Sequence, residues 1–172
     1  MRIYVASSWR NTFQPSVVEA LRARGYEVYD FRGDGDGWGT GGEGAGGFGW
    51  KEVDPEWQSW PSDIPRYLKA LEHPRAIEGF RRDMDALRRC HACVLVNPCG
   101  QSAHAELGWA CGAEKVTIVY CPEIREPDLM VKMADFITHK FHEVLAALEV
   151  SKDVEDSRVA WGRVDAGKGY DE

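Results

Sequence analysis

Short apolar runs alternate with longer amphipathic stretches along most of the chain. The short runs, rich in β-branched and aromatic residues, predict five strands, at residues 2–7, 26–31, 92–97, 116–120 and 136–138. Apolar residues spaced three or four apart predict helices between them, at residues 15–24, 64–73, 74–89, 103–111 and 141–148, with a short turn of helix at 129–133.

This alternation of strand and helix predicts a parallel sheet with helices on both faces. We expect a single α/β domain over residues 1–149, flavodoxin-like and doubly wound, with strand order 2-1-3-4-5, followed by a polar tail over residues 150–172. In such a sheet the ligand crevice lies where the strand order reverses, between the carboxyl ends of strands 1 and 3. The segments 7–9 and 100–102 should meet there.

Two features of the chain between strands 2 and 3 bear on the site. In the helix predicted over residues 74–89, Ile77, Phe80, Met84 and Leu87 form an apolar stripe, and Asp83 should lie beside it. Ahead of that helix, ten of the seventeen residues from 33 to 49 are glycine, which predicts a long loop. The aromatic residues that follow, Trp50 among them, indicate either an aromatic mini-core or a wall for stacking a base.

Composition narrows the class of ligand. The 172-residue chain has a formal net charge of −7 and a pI near 5.3, which argues against binding a nucleic-acid polymer and favours a small-molecule ligand. No apolar stretch is long enough to cross a bilayer, and the opening residues run directly into a strand pattern. We therefore expect a soluble, cytoplasmic protein with no membrane partner.

The five cysteines do not indicate a disulfide framework, because their number is odd and they are spread through apolar segments. Cys90 and Cys93 form one C-x-x-C pair, but no second pair completes a set of four metal ligands. We expect reduced, buried thiols, with neither a metal nor a cofactor.

The segment 97–110 carries the strongest chemical signal. Ser102 has the character of a helix N-cap, which would place Glu106 near the first turn of the following helix. The spacing of four does not fit a capping box, which requires three. A carboxylate near a helix N-terminus should stay ionised, as a nucleophile must, so Glu106 is either a catalytic group or a surface glutamate.

Three segments resemble the nucleoside 2-deoxyribosyltransferases and the related nucleotide N-glycosidases. The first is the opening strand, in which Tyr4 and Trp9 stand five residues apart. The second is the helix from Asp83 to Cys90 that leads into strand 3, and the third is the loop and helix 100–108, with Ser-Ala ahead of Glu-Leu-Gly. The resemblance covers residues 1–149.

The resemblance implies a role for each of three residues. It makes Glu106 the nucleophile that attacks C1′ of a sugar, Tyr4 the hydroxyl that orients it, and Asp83 the acid that serves the departing base. Asp85 competes for the acid role, although two residues along a helix it must point elsewhere. Either aspartate could instead belong to a solvated helix face.

The resemblance also implies a set of substrate contacts. The turn before Glu106 is shorter than in the transferases, and a serine there is similar to the branch that hydrolyses nucleoside monophosphates. Expected to contact substrate are Ser7, Ser8, Trp9, Trp50, Gly100, Ser102 and His104. The three serines could equally be ordinary cap or turn hydroxyls.

We expect cleavage or transfer at the N-glycosidic bond of a nucleoside or nucleoside monophosphate through a glycosyl ester on Glu106. The alternatives are a domain that senses a nucleotide without turning it over, and cleavage of another N-glycoside such as NAD. The resemblance further implies a homodimer or a higher homo-oligomer.

Overall fold

In the computed structural model, residues 1–33, 38 and 47–152 are described. Most of the glycine-rich loop predicted at 33–49, and nearly all of the polar tail predicted at 150–172, lie outside these residues.

Five parallel strands form one sheet in the order β2-β1-β3-β4-β5, so the predicted topology is confirmed. The strands are β1 Arg2–Ala6, β2 Glu27–Tyr29, β3 Ala92–Val96, β4 Val116–Tyr120 and β5 Phe136–Thr138. The helices are α1 Gln14–Ala23, α2 Ile64–Leu71, α3 Pro74–Arg89, α4 Gln101–Gly112 and α5 over residues 141–152, with 3₁₀ turns at Trp50–Glu52, Trp57–Ser62 and Leu129–Met133.

The sheet separates two buried cores. On one face, α1 and α5 cover the strands, with Leu21 and Leu148 fully buried. On the other face, α3 and α4 cover them through Leu87 and Leu107. Each fully buried leucine contributes about 1.5–3 kcal/mol to folding. The second core also contains Tyr4, which places the functional candidates on that face of the sheet.

The buried face of α3 differs from the predicted one. Ile77 is 54% exposed and Phe80 is 69% exposed, whereas Ala76 and Gly79 are buried. The small residues face inward because Phe48 packs against the helix there, and a Cβ at Gly79 would lie only 2.7 Å from the Cβ of Phe48. The predicted stripe is therefore wrong in its first half.

Among the described ranges 1–33, 38 and 47–152, no helix is long and apolar enough to span a membrane.

Candidate active site

The loop after β1 is tied to the end of β3 by Asn11, which is 4% exposed. Its amide nitrogen donates to the carbonyl oxygens of Val96 and Pro98, each at 3.0 Å. Its side-chain oxygen accepts from the backbone N–H groups of Phe13 and Gln14 at 2.7 and 3.0 Å, at the start of α1. The carboxyl ends of β1 and β3 thus meet, as the strand order predicts.

Helix α4 begins earlier than the sequence indicates. Gly100, in an extended conformation, is the N-cap, and Ser102 is the second residue of the helix, with its side chain exposed. The prediction that Ser102 caps the helix is therefore wrong. Glu106 is the sixth residue of α4, beyond the first turn, where the helix dipole acts only weakly on a side chain.

Two tyrosines from neighbouring strands lie side by side next to the carboxyl groups. Tyr4 of β1 pairs with Tyr29 of β2 in the parallel ladder, and their rings stack at 4.9 Å with an interplanar angle of 16°. Both rings are fully buried. The Tyr29 hydroxyl donates to Oδ1 of Asp83 at 2.5 Å, which joins β2 to the inner face of α3.

The environment of Glu106 disfavours its ionised form. Burial and then the charge of Asp83 raise its pKa from 4.5 to about 8, and a weaker interaction with the Tyr4 hydroxyl opposes the rise. The expectation of a bare, charged carboxylate is therefore wrong, because desolvation and a like charge outweigh a helix dipole that is a full turn away. Among the described residues, Glu106 forms no ion pair with lysine or arginine.

Asp83 also faces inward. Burial raises its pKa above the ordinary 3.8, while the hydrogen bond from Tyr29 and the charge of Arg82 oppose the rise. The charge of Asp83 in turn raises the pKa of Glu106. The two carboxyl groups therefore interact, and a charge on one disfavours a charge on the other.

Asp85 lies on the outer side of α3. It forms ion pairs with Arg81 at 3.2 Å and with Arg88 at 2.9 Å, and its side chain is 42% exposed. Of the two aspartates, only Asp83 interacts with Glu106.

The Tyr4 hydroxyl is close enough to Glu106 to act on its pKa, but it makes no hydrogen bond of ordinary geometry with any described residue. Burial, Glu106 and Asp83 together raise the pKa of Tyr4 well above 10, so this hydroxyl stays protonated. A buried hydroxyl without a partner is rare, and this one is available to donate to a charged carboxylate.

The predicted contacts in the loop after β1 are partly occupied by the protein itself. The Ser7 hydroxyl donates to the carbonyl of Val96 at 2.8 Å, and the Ser8 hydroxyl accepts from the N–H of Arg10 at 3.2 Å. Trp9 is 52% exposed and contacts Phe31 edge-to-face at 5.4 Å. Of the three predicted contacts Ser7, Ser8 and Trp9, Trp9 thus has the most exposed side chain.

His104 is held by groups of the protein. Its Nδ1 lies 3.0 Å from the carbonyl oxygen of Gly100 and 3.6 Å from Sγ of Cys99, and its Nε2 lies 3.3 Å from Asp128. This arrangement resembles a cysteine–histidine–aspartate triad. However, burial and then Glu106 raise the pKa of Cys99 to about 12, so the thiol stays protonated and is a poor nucleophile.

Trp50 packs in an aromatic cluster beside the start of α3. Its ring contacts Phe48 at 4.8 Å, Trp60 at 5.1 Å and Tyr67 at 6.2 Å. Of the two alternatives for these rings, this packing is the mini-core, and contact of Trp50 with substrate stays a prediction.

Cys90 and Cys93 are buried, free thiols. Burial raises the pKa of Cys90 to about 11 and that of Cys93 well above its usual value. Among residues 1–33, 38 and 47–152, no group of three or more histidine, cysteine, aspartate or glutamate side chains is arranged to hold a metal ion.

Sequence reasoning missed Tyr29 and Asn11. A signal for Tyr29 was present, since it ends strand 2 next to strand 1 and so lies beside Tyr4 in the predicted strand order. Asn11 gave no signal, because a lone asparagine in a loop is typical of any turn.

Comparison with known proteins shows the fold. No protein-family model and no curated protein matches the sequence. A solved 2-deoxyribosyltransferase from Bacillus psychrosaccharolyticus is similar, with a TM-score of 0.52 and 19% identity over 84% of this chain and 90% of that one. A Clostridium botulinum CMP N-glycosidase gives a TM-score of 0.42 and 15% identity over 87% and 99% of the two chains, too low a score to support an argument. The resemblance predicted from the sequence is confirmed at the level of the fold.

Proposed function

We propose that this protein cleaves or transfers at the N-glycosidic bond of a nucleoside or nucleoside monophosphate, with Glu106 as the nucleophile and Asp83 as the acid. Support comes chiefly from the interaction of these two carboxyl groups in a partly buried position, where a charge on Asp83 disfavours a charge on Glu106. Breaking a glycosidic bond requires one carboxylate at the sugar and one proton for the leaving group. The fold shared with a 2-deoxyribosyltransferase is consistent with this assignment.

The first step needs the proton on Asp83. The proton passes from Glu106 to Asp83 on the way to reaction, which leaves Glu106 charged, and the Tyr4 hydroxyl donates to it. An oxygen of Glu106 then forms an ester bond with C1′ as the bond from C1′ to the base nitrogen breaks. Asp83 gives its proton to that nitrogen, so the base leaves as a neutral molecule.

The second step restores the enzyme. Asp83, now charged, takes a proton from water, and the resulting hydroxide attacks C1′ and releases Glu106 as a carboxylate. If a second base is the acceptor instead, the same carboxylate takes the proton from its nitrogen, and the reaction is a transfer. The carboxyl pair again holds one proton in either case.

Base release from a panel of nucleosides and nucleoside monophosphates, followed by chromatography, tests the proposal. We expect release of free base from at least one member, with loss of about 10³-fold or more in Glu106→Gln and about 10²-fold in Asp83→Asn. Asp85→Asn, on the same helix but facing outward, and Glu126→Gln, on the surface, are the matched controls and should retain full activity.

The panel includes NAD, because NAD is the alternative N-glycoside. Base release from NAD but not from a nucleoside or nucleoside monophosphate would favour that alternative. Binding of a nucleotide without release of base from any member would replace the proposed enzyme with a sensor. Full activity in Glu106→Gln would contradict the role of this residue. None of these outcomes depends on the cytoplasmic location or on the homo-oligomeric state, and both stay predictions.

A further inference from the structure

Two tyrosine–carboxyl pairs stand side by side in the site. Tyr29 donates to Asp83 at 2.5 Å, and the Tyr4 hydroxyl lies next to Glu106. The two rings stack at 4.9 Å and come from residues that face each other across adjacent strands. The sheet therefore fixes the two tyrosine rings relative to each other, and each ring carries its hydroxyl to one of the two carboxyl groups.

We propose that Tyr29 is a positioning residue for the reaction, holding Asp83 toward Glu106 through its hydrogen bond and favouring the charged form of Asp83. This rests on the proposed function of the site. A hydrogen bond to one oxygen of Asp83 fixes the rotamer of its carboxyl group and favours its charged form.

Among the groups around Asp83 and Glu106, Tyr29 is the uncharged side chain that donates a hydrogen bond to Asp83. The titratable and charged groups that act on Asp83 or Glu106 are Tyr29 from β2, Arg82 from α3 and Tyr4 from β1, while the thiols of Cys93 and Cys99 lie near Glu106. Arg82 also donates to the carbonyl of Phe31 at 3.3 Å. Tyr29 is fully buried by its stacking on Tyr4 and its contact with Trp38 at 5.6 Å, so its hydroxyl cannot turn away easily.

The two tyrosines should therefore affect different limbs of the pH profile of kcat/KM. Removing the Tyr29 hydroxyl takes away a donor to charged Asp83, so the acid limb of the kcat/KM profile should move to higher pH by about one unit. Removing the Tyr4 hydroxyl takes away a donor to charged Glu106, so the alkaline limb should move to higher pH instead. A purely structural loss would lower activity without moving either limb.

The test is the pH profile of kcat/KM for wild type, Tyr29→Phe and Tyr4→Phe, with base release as the readout. We expect Tyr29→Phe to move the acid limb alone and to lower the maximum about 10-fold. Tyr120→Phe, whose ring packs on Phe141 at the opposite face of the sheet, is the matched control. An unmoved acid limb in a folded Tyr29→Phe would overturn the proposal.

A second measurement requires neither turnover nor a variant that remains active. With ¹³C at Cζ of tyrosine, the Tyr29 resonance, assigned by its absence from Tyr29→Phe, should titrate in wild type at the pH where Asp83 ionises. A Tyr29 resonance that does not respond to pH in that range would show that the hydroxyl does not hold Asp83. Absence of base release by wild type would contradict the proposed function, and the titration would still decide the hydrogen bond.

Discussion

The side-chain amide of Asn11 lies 3.0 Å from the carbonyl oxygen of Val96, and this contact holds the loop after β1 against the end of β3. Asn11 is buried, and it uses both its oxygen and its amide nitrogen in hydrogen bonds to backbone groups. The contact between these two loops thus depends on a residue that has no part in the proposed chemistry.

Asn11→Ala should therefore destabilise the fold by about 2–3 kcal/mol, because it leaves buried backbone groups without partners. The measurement is urea unfolding monitored by circular dichroism. Ser16→Ala, which removes an exposed hydroxyl that donates to the carbonyl of Phe13, should change the free energy of unfolding by less than about 0.5 kcal/mol. Equal effects of the two substitutions would contradict the role of Asn11.

The activity should have a bell-shaped dependence on pH, because the reaction needs the one proton that the carboxyl pair shares. The alkaline limb should fall near pH 8, where Glu106 loses its proton while Asp83 is charged. The acid limb should lie above the ordinary range of an aspartate, since burial raises the pKa of Asp83. A kcat/KM that keeps rising through pH 9 would contradict the shared proton.

Glu106 should also make the fold less stable as pH rises. Its pKa is about 8 in the folded protein and near 4.5 in the unfolded chain, so the folded state binds more protons between these values and the free energy of unfolding falls with pH. The Glu106→Gln variant should not lose stability in this way. Its free energy of unfolding should exceed that of wild type by on the order of 3 kcal/mol at pH 9 and differ little at pH 4.

Urea unfolding at a series of pH values measures this difference. Glu126→Gln, at an exposed position, is the control and should follow the wild-type curve. A parallel curve for Glu106→Gln would mean that this carboxyl group is solvated.

Two helical glycines should respond oppositely to alanine. At Gly79 a Cβ would lie 2.7 Å from the Cβ of Phe48, so Gly79→Ala should displace the aromatic cluster and destabilise by about 1–3 kcal/mol. At Gly108 the nearest atom would be Cε of Met133 at 3.7 Å, so Gly108→Ala should be neutral or stabilise by up to about 1 kcal/mol. Thermal unfolding of both variants, followed by circular dichroism, separates these outcomes.

The strand order could be predicted because apolar runs such as residues 92–97 stand between helices with clear stops. The confirmed order then placed the loops after β1 and β3 together. The inner face of α3 could not be predicted, since counting apolar residues favours Ile77 and Phe80, whereas close packing of Phe48 selects Gly79.

Tyr4, Asp83 and Glu106 interact in the structure, and their catalytic roles stay predictions. The ionised form expected of Glu106 is disfavoured by its surroundings. The sequence shows that Glu106 follows a helix start, and a dipole argument then favours a charge. Burial and the neighbouring Asp83 reverse that outcome, and neither can be read from spacing along the chain. Tyr29 was missed because its importance comes from a register with β1 that only the assembled sheet defines.

The glycosyl ester on Glu106 can be detected directly by mass spectrometry. The enzyme is quenched with acid during turnover of a substrate that it cleaves and is then digested with a protease. We expect a peptide containing Glu106 that is heavier by one glycosyl group, in wild type and in Asp85→Asn but not in Glu106→Gln. Release of base with the sugar found on another residue, or undiminished release by Glu106→Gln, would contradict it.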